Sequence, residues 1–238
     1  MEIVGEVAAW FSDPARWTGT DGIPNRLFEH IQLSGVAVLV GLAIALPIGL
    51  LIGHSGRGAF LVVSVANIGR AVPSYALLLL LFPIFLFSTP IPALILLAIP
   101  PILTNAYVGV REVDRDLVES GRGMGMTGWQ VLTGLELPIA VPVIVAGIRT
   151  AAIQVVATAT IAALVAGGGF GRYIVDGFGL RDEAMIVGGA ILVAILAIVV
   201  ERAFTLIEGL VTSPGLEVGR RRPRAIELRP LGRFGGAA

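Results

Sequence analysis

The residues of this chain that could act on another molecule are few, and most lie in one stretch. Residues 113–142 read V-D-R-D-L-V-E-S-G-R-G-M-G-M-T-G-W-Q-V-L-T-G-L-E-L-P-I-A-V-P, a polar island in an otherwise apolar sequence. Asp116 stands three residues before Glu119, a capping-box spacing that satisfies orphan backbone donors where a helix starts. Gly123 and Gly125 can adopt positive φ and so end that helix in a left-handed cap. Thr127 stands three residues before Gln130, a second capping-box spacing. Trp129, Leu132 and Leu135 or Glu136 follow at helical intervals before Pro138 opens the next apolar run. The island therefore predicts a helix-turn-helix lying across a membrane surface, and its chemistry is that of gripping a partner.

A second group lies within apolar runs. Thr150, Gln154 and Thr158 recur every four residues, which stacks them on one helix face. In lipid such a stripe needs partners, so it either lines a water-filled path or packs against other helices. Arg149, one position before the stripe, either pairs with Glu136 or a carbonyl in a closed gate or, the favoured reading, snorkels near a helix end. Arg70 interrupts another apolar run and must look inward or snorkel, because a charge facing hydrocarbon is costly. Tyr75 and Tyr107 are weaker candidates for a path.

Composition excludes much other chemistry. The 238 residues are 55% hydrophobic and 14% charged, with a mean hydropathy of +0.88, far more apolar than a soluble domain. All seventeen basic residues are arginine. Without a lysine the chain has no Walker A loop and no Schiff base. Without cysteine it has no thiol nucleophile, disulfide or zinc-thiolate site. His30 and His54 stand near opposite ends of one predicted span, too far apart for a shared metal, and read as structural. No cofactor, metal or catalytic residue is expected.

In the island, Glu119-Ser120-Gly121, then Gly125, then Leu135-Glu136-Leu137-Pro138 resembles the loop of permease subunits of binding-protein-dependent ABC importers. That loop reads E-A-A, three residues, Gly, nine residues, I-x-L-P. Small residues replace the two alanines, Leu135 replaces isoleucine, and the spacing is intact. The runs D-L-V-E-S-G-R-G-M-G-M-T-G-W-Q-V-L, E-L-P-I-A-V-P-V-I-V-A-G-I-R-T and A-T-A-T-I-A-A-L-V look like the branch that imports osmoprotectants such as glycine betaine, carnitine and choline. The resemblance covers about residues 27–210. It implies a methionine-permease-like transmembrane fold in a bacterial plasma membrane. It also implies three partners: a separate cytoplasmic ATPase, a second permease subunit (identical or sister) and an extracytoplasmic binding protein. Glu119, Ser120, Gly121, Gly125, Leu135, Leu137 and Pro138 are then the ATPase-coupling residues, and Arg70, Arg149, Thr150, Gln154 and Thr158 candidates for the path or its gate.

The elements that must hold these residues follow from hydropathy. The fold class is an all-α polytopic membrane protein with about five spans, six in the alternative, since crossing hydrocarbon takes about 20 apolar residues. The spans are 25–52, kinked at Pro47; 59–87, as one long kinked helix or as two short elements; 91–110; 139–166; and 184–210. Residues 1–23 form an extracytoplasmic lead-in, with Trp10, Phe11 and Trp17 as interfacial anchors or else poorly ordered. They carry no signal peptide. Residues 24–210 form the permease domain with the coupling loop at 113–138, and residues 211–238 a cytoplasmic basic tail. Residues 88–92 make a turn, and residues 172–183 form a polar connection. The glycines of 167–171 form an outward hinge or a flexible turn. Arg57, Arg111, Arg115, Arg122 and the tail fall on one side if the spans are five, which puts the amino terminus outside.

The function expected is a permease subunit of an ATP-driven importer for osmoprotectants. The rivals are an ABC permease for an amino acid such as methionine, an ATP-independent secondary carrier, and a non-transporting scaffold. Proton-coupled carriers use intramembrane acidic or histidine relays, and ion-coupled folds often show paired repeats with broken helices; neither pattern is evident in the sequence.

Overall fold

The computed structural model describes residues 2–84, 89–165 and 167–211, without the side chain of Arg70. The tail that carries Arg220, Arg221, Arg222 and Arg224, and Ser88 of the expected turn, lie outside the described residues. In chain order the helices are α1 (Glu2–Ser12), α2 (Ile23–Ser55), α3 (Ala59–Ala71), α4 (Ser74–Ile84), α5 (Ile91–Arg111), α6 (Arg115–Gly123), α7 (Gly128–Val131), α8 (Leu137–Ala162), α9 (Gly171–Leu180) and α10 (Glu183–Val211). A 3-10 turn, Pro14–Trp17, follows α1; a π turn, Leu132–Glu136, joins α7 to α8; and a 3-10 turn, Ala163–Val165, ends α8.

Four segments are long and apolar enough to cross a membrane: α2, α5, the continuous run Gly128–Val165, and α10. The central seam is between α2 and α5. On α2 the small residues Ala37, Gly41, Ala45, Gly49 and Gly53 recur every four positions or nearly so and are all buried. A Cβ on Gly41 would lie 2.8 Å from the Cβ of Ala98, one on Gly49 2.6 Å from that of Ala106, and one on Gly53 2.8 Å from that of Val110. A glycine costs a helix about 1 kcal/mol relative to alanine. In lipid, where association depends on close packing, such a stripe offsets that cost by letting two backbones approach.

The order of these contacts fixes the topology. Positions 41, 49 and 53 meet 98, 106 and 110 in the same sequence, so α2 and α5 run parallel. The chain must therefore return to the opposite end of the bundle between them, and α3 with α4 makes that return. Gly69 of α3 packs on Pro100, midway along α5, and Leu78 of α4 clusters with Ala93 at the start of α5 and Ala162 at the end of α8. The pair counts as one broken crossing, giving five. One long kinked helix over 59–87 is not what forms: α3 and α4 meet at 96°. Pro73 has no N–H and disfavours helical backbone at the residue before it; Val72 is accordingly extended, at φ −83° and ψ 120°.

Two other expectations change. Residues 172–183 are mostly helical, forming α9, which packs on α10 through Gly177 against Ile186 and Gly189 against Tyr173. The lead-in is ordered as α1, and Trp10 is a packed residue instead of an interfacial anchor: it is buried against Gly188 of α10 and edge-on to Tyr173. Pro47 lies inside α2, which runs from Ile23 to Ser55, as membrane helices tolerate when neighbours or side chains satisfy the freed carbonyl.

Candidate coupling element and translocation path

The polar island forms a helix-turn-helix at one end of the bundle, beside the last residues of α2 and α5. Helix α6 begins two residues earlier than the sequence suggests. Asp114, not Asp116, is its cap, accepting from the Asp116 N–H at 2.9 Å, which places Asp116 inside the first turn. The helix ends in a Schellman motif: Met126 N–H donates to Gly121 O (3.1 Å) and Gly125 N–H to Arg122 O (2.9 Å). Gly125 holds φ +91° with no atom within 4 Å of where a Cβ would stand, so glycine is required there by conformation and not by space. Helix α7 opens with the expected capping box between Thr127 and Gln130.

The motif residues meet in three dimensions. A Cβ on Gly121 would lie 2.6 Å from Leu135 Cδ1 and 3.1 Å from Met126 Sδ. The small third position of the first triplet and the aliphatic first position of L-x-L-P are thus one contact between α6 and the π turn. Val113, Val118 and Val131 form the buried core beneath, with Met126 and Ile139. Glu119 and Ser120 face outward beside Leu117, Met124 and Trp129, which are 40%, 78% and 70% exposed. The last three form exposed apolar surface; Trp129 was placed only by its helical spacing, and Leu117 and Met124 were not singled out, although Met124 is legible as an apolar residue flanking the glycine turn. Leu137 and Pro138 open α8 directly from the π turn.

One residue pair went unforeseen. Glu136 is fully buried, and its Oε2 accepts from His54 Nδ1–H at 2.5 Å, across from the end of α2. Its Oε1 is buried and has no hydrogen-bond partner. The expected partner of Glu136, Arg149, points elsewhere: its Nη1 lies 3.0 Å from Glu208 Oε2 and 3.9 Å from Glu201 Oε1. Arg149 therefore ties α8 to α10. Glu136 stands 13 positions before Arg149 on one continuous helical run, about 20 Å of rise and beyond the reach of the side chain, and only packing shows which face of α10 Arg149 meets.

On another face of α8, Thr150 and Gln154 open into a cavity of about 270 Å³ lined also by Ala66, Gly69, Pro100, Pro101, Thr104 and Asn105. Every polar group among its described lining residues is neutral. Asn105 Nδ2 donates to Pro101 O (2.8 Å), and Gly147 lets α8 close on the Asn105 side chain, since a Cβ there would lie 2.4 Å from the Asn105 Cβ. Thr158 leaves the stripe: it is buried and donates to Gln154 O (2.8 Å). Tyr75 and Tyr107 do not line this cavity, and the Arg70 side chain lies outside the described residues.

The opposite end is held by ion pairs and backbone contacts. Arg26 joins Asp21 (2.5 Å) and Glu29 (2.7 Å), and Glu29 Oε2 accepts from Gly169 N–H (2.8 Å). His30, fully buried, donates from Nε2 to Val156 O (3.0 Å) and accepts at Nδ1 from Phe170 N–H (3.3 Å). The glycine turn of 167–171 is thereby clasped to α2. Tyr173 donates to Asp21 O (2.6 Å), and burial pushes its hydroxyl up to about 12. Among the described residues no cluster could hold a metal ion.

Residues 45–213 match the family of binding-protein-dependent transport system inner membrane components. The chain belongs to this family. It is 43% identical over 198 residues to the carnitine transport permease protein OpuCB of Listeria monocytogenes, covering 82% of this chain and 90% of that one. It is 40% identical to the glycine betaine/carnitine/choline transport system permease protein OpuCB of Bacillus subtilis, covering 79% and 88%. The osmoprotectant import permease protein OsmW of Salmonella typhimurium is 33% identical, with 82% and 94% covered. Among solved structures, a chain of the MetNI methionine ABC transporter in inward-facing conformations superposes with a TM-score of 0.71 at 23% identity, covering 80% of this chain and 96% of that one. That likeness establishes a shared permease fold. The chain is an inner-membrane component of a transport system, as the resemblance implied.

Proposed function

We propose that this chain is the transmembrane permease subunit of an ATP-driven importer for osmoprotectants such as glycine betaine, carnitine or choline. The observation that carries the reading is the coupling element itself: Gly121 under Leu135 and the Gly125 cap present Glu119, Ser120, Met124 and Trp129 outward at one end. That end continues without a break into α8, which lines the neutral cavity. The solute class rests on the relatives, whose names give carnitine, choline and glycine betaine.

A separate cytoplasmic ATPase grips residues 119–125, and its movement passes through Leu135, Leu137 and Pro138 into α8. Thr150 and Gln154 line the path. At about 270 Å³ the cavity is smaller than the about 300–1,000 Å³ of complete ligand clefts, which suits half of a path shared with a second permease subunit. The described lining offers neutral polar groups, Thr104, Asn105, Thr150 and Gln154, which suits passage of a solute, with selection by an extracytoplasmic binding protein. Arg57, Arg111, Arg115 and Arg122 lie at the motif end, which supports that end as cytoplasmic and the amino terminus as outside. On this reading residues 1–23 lie at the outer surface, 24–210 form the permease domain with its coupling loop at 113–138, and 211–238 are a cytoplasmic tail.

The test is uptake of labelled glycine betaine into proteoliposomes holding the chain with its ATPase, partner permease and binding protein, with Gly125→Asp beside wild type. ATP-dependent uptake lost in the variant with assembly retained is the expected result. Uptake without ATP would return the secondary carrier, and ATP-driven uptake of methionine but not betaine would keep the mechanism and change the solute.

A further inference from the structure

The grip on residues 119–125 has a covalent route into α8 through the π turn and into α5 through residues 112–114, but none into α2, although α2 and α5 together form the central seam. Those helices touch the base of α8 mainly through small and apolar groups: a Cβ on Gly109 would lie 3.2 Å from Ala140 Cβ and 3.2 Å from Val143 Cβ. Such faces set distance but supply no hydrogen bond between the elements. A directional contact at this level is the buried pair of His54 and Glu136.

We propose that His54 and Glu136 form a positioning joint that makes the end of α2 follow the coupling element. The inference rests on the importer reading and deepens it. Three features of the joint support it. His54 is the next-to-last residue of α2 and Glu136 the last residue of the π turn, 82 positions on, so the contact links two elements that the chain does not. The Glu136 side chain is fully buried and that of His54 is 20% exposed. A fully buried carboxylate that leaves its donor gives up a charge-assisted hydrogen bond while shielded from bulk solvent. Lastly, the ring is wedged from its other side: a Cβ on Gly128, the first residue of α7, would lie 3.3 Å from His54 Nε2. The imidazole is thus held between the start of α7 and the end of the π turn, both parts of the coupling element.

The π turn fits this role. Its wider ring lets both Leu132 and Glu136 face the bundle while the chain passes from the surface helix into α8, and one-turn π insertions recur where helices do functional work. Because the α2–α5 seam has no slack, a displacement taken up by His54 reaches the full length of both helices, including Pro100, Pro101, Thr104 and Asn105 of the cavity wall. The two walls of the path, α8 and α5, then move as one body. His54 and Glu136 touch neither solute nor nucleotide and are positioning residues.

The test uses the complete importer in proteoliposomes with glycine betaine as probe, reading ATP hydrolysed per solute imported. His54→Ala is expected to assemble and hydrolyse ATP while that ratio rises at least about fivefold, the lower end of ordinary coupling energies. His54→Asn places an amide N–H where Nδ1–H stood and stays within about twofold of wild type, whereas His54→Gln, whose donor falls near the Nε2 position, behaves as the alanine variant does. An unchanged ratio in His54→Ala overturns the joint. If His54→Ala does not assemble, the Asn and Gln variants decide: equal ratios for the two overturn the joint, and a preserved ratio in Asn alone supports it. Wild type that imports nothing with ATP overturns the importer reading and the joint with it, which separates the two failures.

Discussion

The two histidines sit at opposite ends of one helix and are satisfied in opposite ways. His30 gives and takes with backbone, donating to Val156 O and accepting from Phe170 N–H. His54 donates to a carboxylate on a segment that the chain reaches only 82 residues later. Backbone partners cannot rotate away without moving their helices, so His30 makes a fixed clasp. A side-chain partner has its own torsions, so His54 makes a joint that transmits and also yields. The far end of the bundle reads as scaffold and the motif end as mechanism.

The sharpest way to break that contrast is to remove each ring. His30→Ala leaves the buried Phe170 N–H unpaired, at about 1–3 kcal/mol, and a cavity where the ring stood, while Val156 O keeps its contact with Thr160. Thermal unfolding followed by tryptophan fluorescence should show that loss, with the ATP hydrolysed per solute imported near wild type. His54→Ala also costs stability, because it leaves the fully buried Glu136 side chain without a donor, and in addition should raise the ATP hydrolysed per solute. An equal rise in that ratio for the two would erase the distinction between clasp and joint.

A smaller effect sharpens the account of the motif end. Gly121→Val drives a side chain into Leu135 and should destabilise by about 1–3 kcal/mol, as overpacking does. Leu135→Ala in the same chain should recover part of that loss, and a double-mutant cycle reads the shared contact. Additive losses would mean that the two motif positions do not depend on each other.

At the far end, Tyr173 gives a pH test. Its hydroxyl is raised by burial to about 12, above its ordinary value of 10. A group whose folded pKa is raised contributes stability that is complete below pH 10 and lost as pH climbs from 10 through about 12. Tyr173→Phe should flatten the alkaline limb of a stability profile in that window and leave neutral pH nearly unaffected beyond one hydrogen bond, about 1 kcal/mol.

The smallest expected effect is a pair of glycines. Gly125→Ala should cost about 1 kcal/mol, because φ +91° strains any side chain although nothing crowds it. Gly123→Ala, inside α6 and equally uncrowded, should be neutral or stabilising by a few tenths to about 1 kcal/mol. Circular dichroism melts of the two separate conformation from sterics.

Much of this was legible before any coordinates. The coupling element is local: its turn glycine, its Thr127–Gln130 capping box and its motif spacing lie within 25 or so residues, where propensity and capping act directly. The α6 cap was misplaced by two residues, since Asp114 and Asp116 are both competent and only helix register separates them. The 59–87 run read as one helix because hydropathy does not see Val72 turning extended before Pro73. The 172–183 segment read as a connection because α9 is short and its polar residues, Arg172 and Asp176, pair with each other instead of forming an apolar face. The Thr150–Gln154–Thr158 stripe was visible, but it divides between the cavity and the core.

Sequence by itself determined that this chain is a membrane protein of four or five candidate crossings with one polar helix-turn-helix, because hydropathy and turn chemistry are properties of residues and their near neighbours. Tertiary structure alone decided that α2 and α5 run parallel, that α3 and α4 must return the chain at 96°, that Arg149 answers to Glu208, and that His54 finds Glu136. Each of these depends on which faces of distant helices pack together. In a bundle where nearly every face is apolar, periodicity marks no preferred partner, and small residues at a seam declare their neighbours only when the backbones have met.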